Sequence, residues 1–158
     1  WVHCNFDLVK QYSDRHRIYQ PRLGARAAAS FVGMEAAFTD SILLRGYALG
    51  ERGFRLGMPL QVTLYWEATA PVDADYQSLL SLVDAQGQTV SQSMQLLGGG
   101  RCPSRGWALG TQIADLHEMA FLDAGAGGPY RLKVNLLNPY GGSVASQELL
   151  LTELEVQE

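Results

Sequence analysis

The sequence has few cysteines and no long hydrophobic run, and each shortage excludes a class of protein. Two cysteines among 158 residues are too few for a disulfide-built scaffold, and Cys4 and Cys102 lack the C-x-x-C spacing of zinc or thioredoxin-like sites. No apolar run reaches 18 residues, so no transmembrane helix is expected within these residues. A hydrophobic fraction of 47% with 18% charged residues is typical of a folded chain and not of a disordered one.

The net charge of −4 is distributed unevenly along the chain. The first 26 residues carry five basic and two acidic side chains, a balance of +3, whereas the remaining 132 carry seven basic and fourteen acidic ones, a balance of −7. An acidic body argues against a nucleic-acid groove, so no nucleic-acid partner is expected. The basic segment is either a solvated tail or an arm that docks on another molecule.

Two parts are predicted, an N-terminal arm or linker over residues 1–35 and a folded domain over residues 36–158. Between Asp7 and Tyr19 apolar residues follow a mixed helical spacing that ends before Pro21, which predicts an extended or short helical arm. Several apolar residues of the arm have no place in the domain predicted below and are therefore candidate partner-binding residues. They are Trp1, Phe6, Leu8, Ile18 and Tyr19, to which Val9 and Phe31 belong as further members.

From Phe38 onward the apolar residues alternate with polar ones, as in half-buried strands. The clearest case is residues 59–67, where Leu60, Val62, Leu64 and Trp66 occupy every second position. Seven strands are predicted, at residues 41–49, 59–67, 76–84, 89–94, 112–122, 130–136 and 150–156. Short strands separated by turn signals predict an all-β, immunoglobulin-like antiparallel β-sandwich of about seven strands.

Motifs for catalysis are near misses or missing. In His117-Glu-Met-Ala-Phe121 a phenylalanine stands where a zinc motif needs its second histidine, and the surrounding pattern is that of a strand. Asp73-Ala-Asp75 matches the D-x-D pattern of some glycosyltransferases, but a solvated turn is the preferred interpretation. Without a nucleophile elbow, Walker loop or dinucleotide fingerprint, we expect no enzyme, no catalytic residue, no metal and no cofactor.

The Gly-rich segment over residues 98–110 is the candidate ligand-binding loop, because long surface loops often carry binding sites. Trp107, with Tyr65, Tyr76 and Tyr140, would form a platform on which a sugar stacks, and Arg101 and Arg105 would contact its hydroxyl groups. The alternative for Trp107 is a structural anchor that folds the loop back over the edge of the sandwich.

Six segments between Phe38 and about Glu155 resemble a β-sandwich module at the C-terminal, extracytoplasmic end of bacterial multi-span glycosyltransferase-like membrane proteins. They are Ile42-Leu-Leu-Arg-Gly-Tyr47, Leu64-Tyr-Trp-Glu-Ala68, Pro71-Val-Asp-Ala-Asp-Tyr76, Leu82-Val-Asp-Ala-Gln-Gly87, Trp107-Ala-Leu-Gly110 and Gly128-Pro-Tyr-Arg-Leu-Lys-Val134. Cys102 and the basic segment before Phe38 depart from that pattern. The resemblance implies a location in the cell envelope or at the cell surface and a non-catalytic accessory role.

Two functions follow as expectations. The first is a structural or interaction module that docks through its arm to protein subunits of a membrane or surface assembly, and the second is a carbohydrate-binding accessory domain that uses the 98–110 loop. The extracytoplasmic location implied by the resemblance also permits a disulfide bond between Cys4 and Cys102, which would tie the arm to the Gly-rich loop. Two buried free thiols are the alternative.

Overall fold

The computed structural model describes residues 6–13, 16–21, 31–100, 102–122, 128–138, 140, 142–143 and 148–157. Eleven strands occupy these residues. They are β1 (Phe6–Ser13), β2 (His16–Pro21), β3 (Phe31–Ala37), β4 (Ile42–Leu49), β5 (Leu60–Ala68), β6 (Gln77–Val83), β7 (Thr89–Leu96), β8 (Gln112–Met119), β9 (Tyr130–Asn138), β10 (Gly142–Ser143) and β11 (Leu149–Leu154). No helix in this part of the chain is long and apolar enough to span a bilayer.

Nine of these strands form two antiparallel sheets, which confirms the predicted all-β sandwich. One sheet has the order β3-β4-β5-β8, and the other has the order β10-β9-β6-β7, with β11 also paired to β9. The number exceeds the seven predicted because β3 and the two-residue β10 are added. Since β3 pairs with β4, the four-stranded sheet begins at Phe31, inside the segment assigned from the sequence to the arm.

The core lies between the two sheets and follows from the period of two. On β5 the alternating residues Leu60, Val62, Leu64 and Trp66 are buried, and the residues between them are only half-buried. Apolar residues of β6 and β9 face them from the other sheet. One end of the core is closed by a cluster of aromatic rings. In it, Phe54 lies 4.3 Å from Phe121 and 5.2 Å from Tyr130, centroid to centroid.

Within the N-terminal arm, residues 6–13 and 16–21 form the two strands β1 and β2, which we call the hairpin, so the helical interpretation of Asp7 to Tyr19 is wrong. Strands β1 and β2 pair antiparallel, with Leu8 opposite Tyr19. Register shifts occur between Leu8 and Lys10 and again between Gln11 and Ser13. These irregularities break the alternation that would have identified two strands in the sequence.

Side-chain contacts cover parts of the backbone at both edges of the four-stranded sheet. The ring of Phe31 on β3 meets Tyr65 edge-on at 5.2 Å and lies over Gly46, where an added Cβ would come within 2.8 Å of it. At the other side of the sheet, the Gln95 side-chain amide on β7 donates a 3.1 Å hydrogen bond to the Leu116 carbonyl of β8. This bond links the two sheets along the side where their edge strands β7 and β8 lie next to each other.

Candidate functional site

The Gly-rich loop begins with a left-handed turn after β7. Gly98, Gly99 and Gly100 have φ angles of 75°, 62° and 72°, a region that residues with a side chain rarely adopt. The backbone of Gly98 passes close to Cys102, since an added Cβ would come within 2.8 Å of the Cys102 Cβ. Three successive glycines are therefore needed for the chain to turn back toward the sandwich here.

The rest of the loop is held against the sandwich by buried hydrogen bonds. The Trp107 side chain is 3% exposed, and its Nε1 donates to the Cys102 carbonyl at 3.2 Å. The buried Ser104 hydroxyl donates to the Ala74 carbonyl and accepts from the Tyr76 amide, both at 2.8 Å. These contacts fix the loop to the segment that precedes β6.

The predicted sugar platform is not assembled. Trp107 and Tyr76 are buried, whereas Tyr140 is 86% exposed, so the three rings do not present a common surface. The stacking role predicted for Trp107 is wrong in this conformation, because its ring faces the protein and acts as the anchor described by the alternative interpretation. Arg105 is exposed, and Arg101 lies outside the described residues.

Asp75, the second carboxylate of the D-x-D pattern, is engaged by the loop. Its Oδ1 accepts a 2.9 Å hydrogen bond from the Arg105 amide, and its Oδ2 lies 3.9 Å from Arg105 Nε. Among the described residues, no group of three His, Cys, Asp or Glu side chains is arranged to hold a metal ion. The Asp75 carboxylate therefore holds the Gly-rich loop, whereas the preferred interpretation had expected it to cap its own backbone.

The cysteines and the partner-binding residues are described only in part. Cys102 is buried and takes part in a disulfide bond. Cys4, the only other cysteine of the sequence, lies outside the described residues, so the Cys4–Cys102 pairing stays a prediction. Trp1 also lies outside them. Of the other predicted partner-binding residues, Phe6, Leu8 and Val9 lie on β1 and Ile18 and Tyr19 on β2, whereas Phe31 lies on β3 of the four-stranded sheet.

A buried carboxyl on β8 was not singled out from the sequence. Asp115 is 2% exposed, and its Oδ1 accepts a 2.9 Å hydrogen bond from the Gly98 amide. Burial raises the pKa of this carboxyl from its ordinary 3.8 to about 7, although hydrogen bonds from the amides of Gly98 and Gly99 act in the opposite direction. Its Oδ2 has no hydrogen-bond partner among the described residues.

His117, two residues further along β8, faces the same interior. Its Nε2 lies 2.9 Å from the Ser78 hydroxyl oxygen and its Nδ1 lies 3.0 Å from that of Ser93. Burial lowers the pKa of the imidazole from 6.5 to about 4. Ser78 and His117 are both fully buried, so their contact lies inside the core. The sequence did contain a signal for these two buried polar groups. Asp115 and His117 occupy the alternate positions of β8 that face the core, together with Ile113 and Met119.

A cavity of about 390 Å³ opens at the end of the sandwich where β4 ends, β5 begins and the chain leaves β11. We call it the end cavity. Its lining residues are Leu49, Gly50, Gly53, Phe54, Leu60, Glu153, Leu154, Glu155, Val156 and Gln157. The sequence did not indicate it, because its walls come from segments about 100 residues apart.

No protein-family model and no curated protein matches the chain. Among solved structures, a β-glucuronidase from glycoside hydrolase family 2 is similar over 76% of this chain, with 11% identity and a TM-score of 0.43. The match covers only 11% of the β-glucuronidase chain. Chicken MD-1 complexed with lipid IVa (11% identity, TM-score 0.32) is similar over 78% of this chain and 99% of its own. The putative ApaA protein from Bordetella pertussis (10% identity, TM-score 0.33) is similar over 83% and 98%. Similarities this distant assign neither a family nor a function.

Proposed function

We propose that this chain is a non-catalytic interaction module of a bacterial cell envelope, which docks through its N-terminal hairpin onto protein subunits of a membrane or surface assembly. The observation that carries the proposal is the separate two-stranded sheet formed by β1 and β2. Among the described strands, these two pair only with each other. An isolated two-stranded hairpin is marginally stable in water at best, so a partner is needed to hold it.

The composition of the hairpin supports the same role. Leu8 and Tyr19 occupy directly opposed positions, as do Phe6 and Pro21, which places the apolar residues of the two strands in register. The same part of the chain is basic. Residues 1–26 carry a net charge of +3, whereas the remaining residues carry −7. An apolar and basic arm on an acidic body suits a partner surface with apolar and acidic groups, since complementary charges guide the encounter. The envelope location rests on the sequence resemblance.

The proposal is tested with the full chain and an envelope fraction from the organism that produces it. The variant Leu8→Asp with Tyr19→Asp places two charges at opposed positions of the hairpin, and Leu109→Asp with Leu122→Asp makes the same change at exposed positions of the sandwich. Wild type and the sandwich variant should co-sediment with the envelope fraction, and the hairpin variant should stay in solution. Protease treatment of the fraction beforehand should abolish binding. Equal sedimentation of wild type and hairpin variant would rule out docking through the hairpin.

Carbohydrate binding through the 98–110 loop is not favoured by the geometry. The ring that would stack on a sugar, that of Trp107, is buried against the sandwich and hydrogen-bonded within the loop. Tyr76, the second ring predicted for the platform, is buried as well and offers a sugar little surface.

A further inference from the structure

The outer face of the four-stranded sheet carries an aromatic ring that the protein covers on one side only. Gly33 of β3 and Gly46 of β4 are register partners, and neither has a side chain to cover the backbone. The Phe31 ring lies over both, since an added Cβ would come within 3.5 Å of it at Gly33 and within 2.8 Å at Gly46. Because the ring lies on the sheet and Phe31 is 55% exposed, the outer side of the ring faces solvent.

Three polar side chains beside this ring are held in fixed positions by one another. Arg45 directly precedes Gly46, and its Nε donates a 2.7 Å hydrogen bond to Glu67 Oε2. The same oxygen accepts a 3.1 Å hydrogen bond from the Gln112 side-chain amide, and Arg45 also donates to the Glu35 carboxylate. The hydrogen bond from Arg45 lowers the pKa of Glu67, so this carboxylate is charged at neutral pH. A guanidinium, a carboxylate and an amide therefore form a row across β4, β5 and β8.

A second pair of an amide and a carboxylate lies further along the same face. Gln61 Nε2 donates a 2.7 Å hydrogen bond to Glu118 Oε1. Six residues of β5 separate Gln61 from Glu67, about 20 Å in an extended strand. The outward residues between the two pairs are Thr63 and Tyr65 of β5 with their register partners Leu116 and Ala114 of β8. The face is thus a long strip in which planar polar groups stand on either side of a less polar middle.

The charge of this face disfavours an anionic ligand. Among the described residues that face outward on these four strands, three are carboxylates and one, Arg45, is a cation. The carboxylates are Glu35, Glu67 and Glu118. Each is hydrogen-bonded to a neighbouring side chain, so neutral hydroxyl groups can join these bonds without leaving a charge unpaired.

We propose that this face binds a neutral, extended oligosaccharide, with one sugar stacked on Phe31 and hydroxyl groups of the chain at Arg45, Glu67 and Gln112. An exposed ring removes the apolar face of a pyranose from water. Guanidinium, carboxylate and amide groups together supply the donors and acceptors that neighbouring hydroxyls need. A long open strip favours a chain with equatorial linkages, which is extended, over a chain that bends. The site lies on the sandwich and is independent of the hairpin and of the function proposed above.

The experiment compares three hexasaccharides at neutral pH, using the full chain with ligand-observed NMR followed by calorimetry. Cellohexaose is neutral and extended, maltohexaose is neutral and bent, and hexagalacturonate carries a carboxylate on every sugar. Cellohexaose should bind, maltohexaose should bind more weakly, and hexagalacturonate should not bind. No binding of cellohexaose, or equal binding of either other hexasaccharide, would overturn the proposal.

Two variants test the location of the site. Phe31→Leu keeps an apolar cover over Gly33 and Gly46 but removes the ring, so cellohexaose binding should weaken about tenfold, the upper end for an aromatic contact. Gln112→Ala removes a donor at an exposed position and should weaken binding about fivefold, with folding preserved. Tyr140→Leu removes an exposed ring outside this face and should leave the affinity unchanged. Unchanged affinity in either of the first two variants, or an equal loss in Tyr140→Leu, would contradict the proposed location.

Gln92→Ala is the matched control for the amide. Gln92 is exposed on β7 of the other sheet, and its side chain donates to Ser81 of the adjacent strand, so the change is the same outside the proposed site. Cellohexaose should bind to this variant as to wild type. Analytical ultracentrifugation at the same concentrations should show no self-association through the face. A dimer that Phe31→Leu dissociates would show that a second copy covers the face, which contradicts a sugar as its ligand.

Discussion

Replacing Asp115 by asparagine should stabilise the domain at neutral pH and leave its stability unchanged near pH 4. The folded protein keeps the Asp115 proton up to about pH 7, whereas the unfolded chain loses it near 3.8. Between these values unfolding releases a proton, so stability falls as the pH rises and is constant above pH 7. At 1.36 kcal/mol per pH unit, this window corresponds to about 4 kcal/mol.

Asparagine resembles the protonated acid in shape and retains an oxygen that accepts from the Gly98 amide. The difference in unfolding free energy between Asp115→Asn and wild type should therefore be near zero at pH 4 and rise to about 4 kcal/mol in favour of the variant by pH 7. Urea denaturation followed by tryptophan fluorescence at half-unit pH steps measures it. Contributions of the other titrating groups cancel in the difference. A difference that stays constant between pH 4 and 7 would refute burial as the cause of the raised pKa.

Burial of His117 gives stability the opposite dependence on pH and provides the matched experiment. Its imidazole is neutral in the folded protein down to about pH 4 but takes up a proton in the unfolded chain near 6.5, so its contribution is full above 6.5 and lost as the pH falls toward 4. Between pH 4 and 6.5 the effects of His117 and Asp115 on stability have opposite slopes and nearly cancel in wild type. In Asp115→Asn the histidine slope is no longer offset, so over that window stability should rise with pH more steeply than in wild type, by about 1.4 kcal/mol per unit.

Three further predictions concern the loop, the sheet and the disulfide. Trp107→Ala should destabilise the domain by about 3–5 kcal/mol in urea denaturation, as for other buried aromatic residues, and a loss within 1 kcal/mol would show that the ring does not anchor the loop. Gly46→Ala should lower the melting temperature because its Cβ has no space beneath β3, while Gly33→Ala, with its nearest contact at 3.5 Å, should have a smaller effect. Non-reducing peptide mapping should yield one species that joins Cys4 to Cys102, and a species with two free thiols would contradict that pairing.

The fold was predictable where strands alternate without interruption. Residues 60–68 form β5 almost as expected, because each apolar side chain at every second position gains by facing the core. The hairpin was missed because register shifts near Val9 and Lys10 remove the period of two over a segment of only eight residues. Without that period, the mixed spacing of its apolar residues was interpreted as a short helix.

The candidate sites were less predictable, for reasons that differ between them. For Trp107 the sequence identifies an aromatic residue in a Gly-rich loop. Whether its ring faces solvent depends on hydrogen bonds that the sequence does not show, to the Cys102 carbonyl within the loop and from the Val72 amide before β6. Asp115 and His117 stood at inward positions of an alternating strand, which was a readable signal of buried polar groups. The end cavity has no local signal, since it exists only once Leu60 and Leu154 meet across the two sheets.

The bond from Gln95 to the Leu116 carbonyl has a consequence for association between molecules. A strand at the edge of a sheet offers unpaired carbonyls and amides to any other chain, and this amide occupies one of them in the middle of β8. At the opposite edge of the same sheet, β3 pairs with β4 alone among the described strands. The β3 edge is therefore the one that stays open to an incoming strand from another chain, and its Glu35 carboxylate is paired with Arg45 of β4 and so presents little net charge there.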